Sequence, residues 1–188
     1  MKPITPASPH VIIMVGIPGS GKSTFAEHFA DTFKAPIINE SRLAFDADLN
    51  DDQAEVVFNT VLKQLLKTER TFLIESSHMT KVKRNQLSAT VTKAGFAPLI
   101  IWVQTDPIEA KRRALKPQPA GSGLTSEQFD TAYKKFQAPT ALEKATVISG
   151  KHTYATQLKV VLKKLAGSRP ETRIIPPSPR QAGKIVIR

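Results

Sequence analysis

A nine-residue glycine-rich stretch constrains this chain more than any other feature of its sequence. Residues 16–24 read Gly-Ile-Pro-Gly-Ser-Gly-Lys-Ser-Thr and match G-x-x-x-x-G-K-[ST], the pattern of a phosphate-binding loop. An apolar run, residues 11–15, precedes the loop, and phenylalanines follow at four-residue spacing, at Phe25, Phe29 and Phe33. Strand, loop and helix form the context that this pattern requires. A glycine-rich turn that holds no phosphate is the alternative, and the complete motif with both flanks argues against it.

The positions of the loop predict how a nucleotide is held. Gly16 and Gly21 permit close backbone approach, and the amides between them can hold phosphate oxygens at a helix N-terminus. Lys22 is expected to reach the β- and γ-phosphates, and Ser23 to offer its hydroxyl to Mg²⁺. ATP is taken as the default donor because no guanine-reading N-K-x-D pattern is evident. The predicted nucleotide-binding residues of the loop are Gly16, Pro18, Gly19, Ser20, Gly21, Lys22, Ser23 and Thr24.

Short apolar runs alternate with helical patterns along the chain. The predicted strands are residues 11–15, 35–38, 71–74, 98–103 and 146–148. Such alternation predicts an α/β fold with a parallel five-stranded sheet in a three-layer αβα sandwich. Ligands of these sheets bind beyond the carboxyl ends of the strands. The turns after Val15, Ile38 and Ile74 are therefore the candidate sites.

Several aromatic residues are predicted to be structural. Trp102 lies within a predicted buried strand and is interpreted as core. Phe129, Tyr133 and Phe136 recur at helical spacing after a capping box at residues 125–128, and they are expected to form the buried edge of that helix. The segment 39–42 is interpreted as polar chain before a helix that begins near Asp51.

The charge of the chain is strongly basic and unevenly distributed. The formal net charge is +11 over 188 residues. Nine basic residues and one acid lie in residues 151–188, which therefore carry +8 of that total. This asymmetry suggests an anionic partner, with nucleic acid foremost, and a solubilising basic tail is the alternative.

The remaining composition excludes several classes of protein. There are no cysteines, which excludes disulfides and cysteine metal sites and fits a reducing cytoplasm. No run approaches the ~20 apolar residues of a membrane span, so no membrane partner is expected. The N-terminus lacks the features of a signal peptide. The chain is predicted to be cytoplasmic.

The loop and its surroundings resemble the small P-loop kinases and predicted ATPases grouped with polynucleotide 5′-hydroxyl kinase, with zeta-toxin-like kinases as distant relatives. The resemblance covers residues 11–150. Glu75, Ser76, Ser77 and Arg84 stand where that family has an acid, a polar turn and an Arg-bearing helix after the third strand. Arg112, Arg113 and Lys116 precede a predicted lid at 117–124, and Phe136, Pro139 and Glu143 match a stretch before the last strand. The prolines of the two termini and the basic charge of the second predict an irregular lead-in at residues 1–10 and a basic, Pro-rich arm at 167–188, which leaves a P-loop kinase domain at 11–166.

One position departs from that resemblance. The family usually has an Asp, its general base, three residues before an Arg that helps to hold substrate phosphate. Arg42 matches this Arg, but Asn39 occupies the position of the Asp, and an amide cannot accept a proton as a base. Glu40 is the neighbouring carboxylate that can substitute, and Asp46 or Asp48 can also reach in. Without any of them, the protein only hydrolyses or binds nucleotide.

The predicted function is ATP- and Mg²⁺-dependent phosphoryl transfer to a hydroxyl, plausibly the 5′-hydroxyl of a nucleic acid bound by the basic C-terminus. The alternatives are a small-molecule kinase and an ATP-binding or ATPase adaptor. The predicted catalytic residues are Lys22, Glu40, Arg42 and Arg113. Arg112 is expected to contact the nucleotide, and Ser23 and Glu75 to hold the metal.

Overall fold

Five parallel strands form one sheet with the phosphate-binding loop above its middle. The computed structural model describes residues 9–76, 80–117 and 123–167. The strands are β1 (His10–Val15), β2 (Ile37–Asn39), β3 (Phe72–Glu75), β4 (Ala97–Gln104) and β5 (Thr146–Ser149). Their order across the sheet is β2-β3-β1-β4-β5. Every residue of the central strand β1 is buried, which explains its uniformly apolar sequence.

Helices cover both faces of this sheet. They are α1 (Lys22–Phe33), α2 (Glu40–Asp46), α3 (Asp51–Leu66), α4 (Lys81–Lys93), α5 (Pro107–Ala114), α6 (Ser126–Lys135) and α7 (Tyr154–Gly167), with a 3₁₀ turn at Ala141–Glu143. Apolar residues of α1 and α7 pack with Ile12 and Met14 on one face. Those of α3 and α4 pack with Val11 and Ile13 on the other face. The predicted three-layer α/β architecture is confirmed.

Helix α2 corrects the prediction of an irregular polar segment after the second strand. None of its seven residues is fully buried, and so short a helix is below the window over which an apolar period can be recognised. Its signal is the cap: the side chain of Asn39 accepts a hydrogen bond from the backbone N–H of Arg42 at 2.9 Å. Asn is among the best N-cap residues. The turn after β2 is therefore a helix start, which fixes where Glu40 lies.

Two of the predicted core aromatics are not core residues. Trp102 is only half-buried, because it lies on β4 beside Val147 of the edge strand β5, and Val147 is 46% exposed. Tyr133 is 44% exposed, whereas Phe129 of the same helix is 2% exposed. Phe136 packs partly buried against the core. Among the described residues, the outer part of this sheet face is therefore incompletely covered.

A buried ion pair joins α4 to the 3₁₀ turn before β5. The Arg84 side chain is fully buried, and its Nε donates to Glu143 at 2.6 Å while Nη2 donates to the other carboxylate oxygen at 3.1 Å. Arg84 Nη1 also donates to the carbonyl of Gln137 at 2.8 Å. The hydrogen bond from Arg84, with one from the Thr140 N–H, lowers the pKa of Glu143 to about 2. Arg84 and Glu143, which both belong to the family resemblance, thus form one ion pair within the fold.

The ion pair should make stability depend on pH in the acid range. The pKa of Glu143 is lower in the folded state than its ordinary value of 4.5, so its contribution is complete above about pH 4.5 and is lost as pH falls toward 2. We expect Glu143→Gln to lower the free energy of unfolding by about 1–3 kcal/mol at neutral pH. In urea unfolding, the difference in free energy of unfolding between wild type and Glu143→Gln should become smaller as the pH falls toward 2. Glu27→Gln, at an exposed position, is the control. If the difference in free energy between Glu143→Gln and wild type did not change with pH, the ion pair would not be the source of the pH dependence.

The boundaries of the predicted segments shift slightly. Strand β1 begins at His10, inside the predicted lead-in, and Gly167 belongs to α7 rather than to the arm. Ser77, residues 118–122 of the lid and residues 168–188 of the arm lie outside the described residues. No helix in the described part of the chain is both long and apolar enough to cross a membrane.

Candidate active site

The phosphate-binding loop connects β1 to α1 and has left-handed backbone at two glycines. Gly19 has φ 72° and Gly21 has φ 104°. A Cβ on Gly19 would overlap the backbone carbonyl of Ala110, so α5 packs directly on the loop. Gly21 caps α1 without a side-chain hydrogen bond. The first-turn amides of α1 are therefore not blocked by a capping side chain, an arrangement that suits an anion at a helix N-terminus.

Lys22 is held beneath this loop. Its side chain donates from Nζ to the carbonyl of Ile17 at 3.0 Å, and the residue is only 4% exposed. Burial lowers the pKa of Lys22 to about 8, and the charge of Glu75 partly opposes that effect. The buried hydroxyl of Ser20 has no hydrogen-bond partner among the described residues. A buried ammonium and an unsatisfied hydroxyl fit a loop that receives phosphate oxygens.

The metal-binding candidates are brought together where the first turn of α1 meets the end of β3. Ser23 Oγ donates to one oxygen of Glu75 at 2.6 Å. Asn39 Nδ2 donates to the other oxygen of Glu75 at 3.0 Å. No group of three or more His, Cys, Asp or Glu side chains suited to a metal occurs among the described residues. A hydroxyl and one carboxylate fit Mg²⁺, which usually keeps several waters and takes few protein ligands.

The Asn39 side chain is thus fully engaged, with its oxygen capping α2 and its nitrogen on Glu75. The next residue, Glu40, opens α2 and turns toward the end of β3. Its carboxylate accepts a hydrogen bond from Ser76 Oγ at 2.7 Å. Ser76 directly follows Glu75, so Glu40 reaches the turn at the end of β3 through this hydrogen bond. Both Glu40 and Ser76 line a cavity of about 150 Å³ between α3 and α4.

Three predicted residues do not join this cluster. Arg42 Nε pairs with Asp46 at 2.9 Å on the exposed surface of α2. Asp46 and Asp48 are both exposed. The structure therefore does not support the proposed phosphate contact of Arg42 or the two alternative bases. Arg42 and Asp46 pair with each other because they stand four residues apart on the exposed surface of α2.

The two arginines of α5 occupy different environments. Arg112 makes two hydrogen bonds of 2.8 Å to Glu109, and its side chain is 60% exposed. Arg113 also contacts Glu109, but its Nη1 donates to the carbonyl of Gly150 at 2.9 Å. Arg113 therefore links α5 to the segment that supports the phosphate loop, whereas Arg112 points toward solvent.

This difference predicts unequal effects of two matched substitutions. A hydrogen bond from a charged group contributes about 1.5–3 kcal/mol, so Arg113→Ala should lower kcat/KM for ATP by about 10- to 100-fold. Arg112→Ala should change it by about twofold or less, as expected of an exposed ion pair. Steady-state nucleotide turnover measures both. If Arg112→Ala lowered kcat/KM for ATP as much as Arg113→Ala or more, the contact of Arg113 with Gly150 would not contribute to the site.

Two residues that contact the phosphate loop, Thr105 and Gly150, belong to no motif of the sequence. Thr105 Oγ1 donates to the carbonyl of Ser20 at 2.8 Å. A Cβ on Gly150 would overlap both that carbonyl and the Thr105 hydroxyl. Each follows the end of a strand, β4 or β5, so the rule that ligands bind at strand ends is the signal that could have identified them.

Solved structures similar to this one are P-loop kinases and related proteins. A gluconokinase from Sinorhizobium meliloti has 17% identity, with 85% of this chain and 93% of that chain covered at a TM-score of 0.62. Kti12 of Chaetomium thermophilum, in complex with ADP-AlF3, has 16% identity, with 83% and 97% covered at 0.69. The Mycobacterium tuberculosis APS kinase CysC, in complex with AMPPNP and APS, has 19% identity, with 87% and 100% covered at 0.60. At these identities the likeness shows the fold.

Sequence comparison identifies the family. No curated protein sequence matches the chain with significant similarity. A family model described as an AAA domain matches residues 11–139, which include the phosphate loop, Glu40, Glu75 and both arginines of α5. The resemblance to P-loop kinases is supported at this level, and the narrower resemblance to polynucleotide kinase stays a prediction. The chain belongs to the AAA domain family and has the fold of a P-loop kinase.

Proposed function

We propose that this protein is an ATP- and Mg²⁺-dependent phosphotransferase that moves the γ-phosphate to a hydroxyl of a small polar acceptor. One observation carries the proposal: the Glu40 carboxylate accepts a hydrogen bond of 2.7 Å from Ser76, the residue that follows Glu75, and Glu75 itself accepts one from Ser23 of the phosphate loop. We infer that this carboxylate serves as the base across the cleft from the phosphate loop, because the amide of Asn39 occupies the predicted position of the base and cannot accept a proton.

The donor side is assigned to the loop. Its amides and Lys22 bind the phosphates, and Ser23 and Glu75 hold Mg²⁺, which supplies charge neutralisation during transfer. Asn39 orients Glu75 through their hydrogen bond of 3.0 Å. Arg113 fixes α5 against the loop through the Gly150 carbonyl.

Glu40 is assigned as the general base. It accepts the proton of the acceptor hydroxyl while that oxygen forms the new bond to the γ-phosphorus and the bond to the β,γ-bridging oxygen of ATP breaks. ADP is the leaving group. Such proton transfer contributes typically ~10²–10⁴-fold to the rate. Ser76 keeps the Glu40 carboxylate in place through a hydrogen bond that its hydroxyl donates at 2.7 Å.

The cavity next to Glu40 favours a small acceptor. Its volume is about 150 Å³, below the ~300–1,000 Å³ of usual ligand pockets. Its polar walls include the side chains of Asn59 and Gln86, while Glu55 and Lys83 there face each other at 3.8 Å. These groups suit the hydroxyls of a neutral polyol. The similarity to a gluconokinase and an APS kinase is in keeping with a small-molecule acceptor.

The basic charge of the chain favours a second candidate, phosphorylation of the 5′-hydroxyl of a nucleic acid. The net charge of +11 and its concentration in residues 151–188 provide the electrostatic attraction that a strand requires. In this version the basic C-terminal region binds the strand, and activity falls steeply with salt. The small-acceptor version predicts little dependence on salt.

The test is an assay with γ-labelled ATP, Mg²⁺ and a panel of sugars, polyols, nucleosides and a 5′-hydroxyl oligonucleotide. We expect label to move to a small hydroxylated compound. Label on the oligonucleotide, with strong salt dependence, would favour the second candidate. Label found only in inorganic phosphate across the whole panel would overturn both and favour the ATPase alternative.

A further inference from the structure

A second cavity lies away from Glu40, at the opposite edge of the sheet. Its volume is about 760 Å³, and it opens between the ends of β4 and β5 and the C-terminal turn of α6. It touches the phosphate loop only at Ile17. The loop residues from Gly19 to Ser23 do not line it, so it is distinct from the anion site at the start of α1.

Three aromatic side chains line this cavity: Trp102, Tyr133 and Phe136. Two of them are the residues whose burial was wrongly predicted. Trp102 is half-buried and Tyr133 is 44% exposed, so their rings are accessible from the cavity. The ring of Tyr133 also lies nearly parallel to that of Phe129, with ring planes at 8° and centroids 6.1 Å apart. Accessible, oriented aromatic rings are the usual platform for stacking a nucleobase.

The charged groups of the cavity favour an anion. Lys134 and Lys151 line its rim, and neither forms a salt bridge to another described residue. Asp106 is the acidic side chain in the lining, and its carboxylate already accepts hydrogen bonds from the N–H groups of Ile108 and Glu109 at the start of α5. Two solvated ammonium groups beside aromatic rings match a base that carries a phosphate.

We propose that this cavity is a second binding site, for a nucleotide unit whose base stacks on Trp102 and Tyr133 and whose phosphate contacts Lys134 and Lys151. The volume is within the ~300–1,000 Å³ range of small-molecule sites. The unit is either a free nucleotide or one residue of a single strand, since both present the same base and phosphate. The inference does not depend on which acceptor Glu40 serves.

The chain provides its own reporter, because Trp102 is its only tryptophan. The full-length protein is first saturated with AMPPNP and Mg²⁺, so that the phosphate loop is occupied. Uridine 5′-monophosphate, hexauridylate and ribose 5-phosphate are then titrated while Trp102 fluorescence is recorded. We expect saturable quenching by one or both base-containing probes and none by ribose 5-phosphate. Tighter binding of hexauridylate identifies a strand as the source, and tighter binding of the mononucleotide identifies a free nucleotide.

Matched variants assign the binding to the cavity. Tyr133→Ala should weaken it about tenfold, as loss of a stacking ring does, while Tyr133→Phe should retain it. Lys134→Ala should weaken it and reduce its salt dependence, whereas Lys135→Ala, on the same exposed turn but outside the cavity, should not. Three results would overturn the proposal: no quenching by either nucleotide probe, equal quenching by ribose 5-phosphate, or quenching by AMPPNP alone with no response to a second ligand. Since no turnover is measured, failure here is separate from failure of phosphoryl transfer.

Discussion

Glu40→Gln is expected to reduce kcat for phosphoryl transfer by about 10²–10⁴-fold while ATP affinity stays within about twofold. The amide keeps the size of the side chain and can still accept the hydrogen bond that Ser76 Oγ donates at 2.7 Å. It cannot accept the proton of an acceptor hydroxyl. The loss should therefore appear in the chemical step and not in nucleotide binding, which single-turnover transfer and equilibrium ATP titration separate.

Asp46→Asn is the matched control for Glu40→Gln. Asp46 lies on the same helix, and its carboxylate pairs with Arg42 on the exposed surface. An exposed pair of this kind contributes ~0–1 kcal/mol, so kcat should be nearly unchanged. A large loss in Asp46→Asn together with full activity in Glu40→Gln would transfer the role of base to Asp46.

Lys22→Met should lower kcat by about 10²–10³-fold, the usual cost of removing one group that stabilises charge in the transition state. Methionine keeps the apolar length of the side chain but removes the ammonium that reaches the Ile17 carbonyl at 3.0 Å. Removing a buried cation also relieves the desolvation that lowers the pKa of Lys22 to about 8.

The folding stability of Lys22→Met should consequently equal or exceed that of wild type in thermal unfolding. Activity falls and stability does not, because the buried ammonium assists phosphoryl transfer but is costly to desolvate in the folded protein. A variant that transfers phosphate at the wild-type rate would remove Lys22 from the mechanism. A variant that unfolds would instead show that the ammonium is structural.

The sequence predicts the parts of this fold that are set locally. The phosphate loop is a contiguous motif, and the apolar runs around Ile13 and Leu73 belong to strands buried on both faces. The same rule fails at Trp102, because its outer neighbour is the edge strand β5, and no property of an apolar run indicates that a sheet ends beside it. Helix α2 is not predicted because none of its residues is fully buried. The Asn39 cap is the feature of the sequence that indicates it.

The site is less predictable than the fold, since its contacts join distant segments. Arg84 and Glu143 are 59 positions apart, and Ser23 and Glu75 are 52 apart. Strand order brings the second pair together, which the rule for parallel sheets anticipates. Asn39 makes two contacts. Its oxygen caps α2, and its nitrogen reaches Glu75 because the register of β2 with β3 pairs these two residues. The contact with Glu75 cannot be predicted from the sequence of a single segment.

The position of Glu40 relative to the transferred phosphate is the central claim, and a crystal structure with ADP, aluminium fluoride and Mg²⁺ measures it directly. We predict that a Glu40 carboxylate oxygen lies within about 3.2 Å of the apical oxygen that attacks the fluoride plane, as a general base must. Ser23 and Glu75 should then contact Mg²⁺ directly or through water. A complex in which Glu40 remains on Ser76, out of reach of the apical oxygen, would contradict the account.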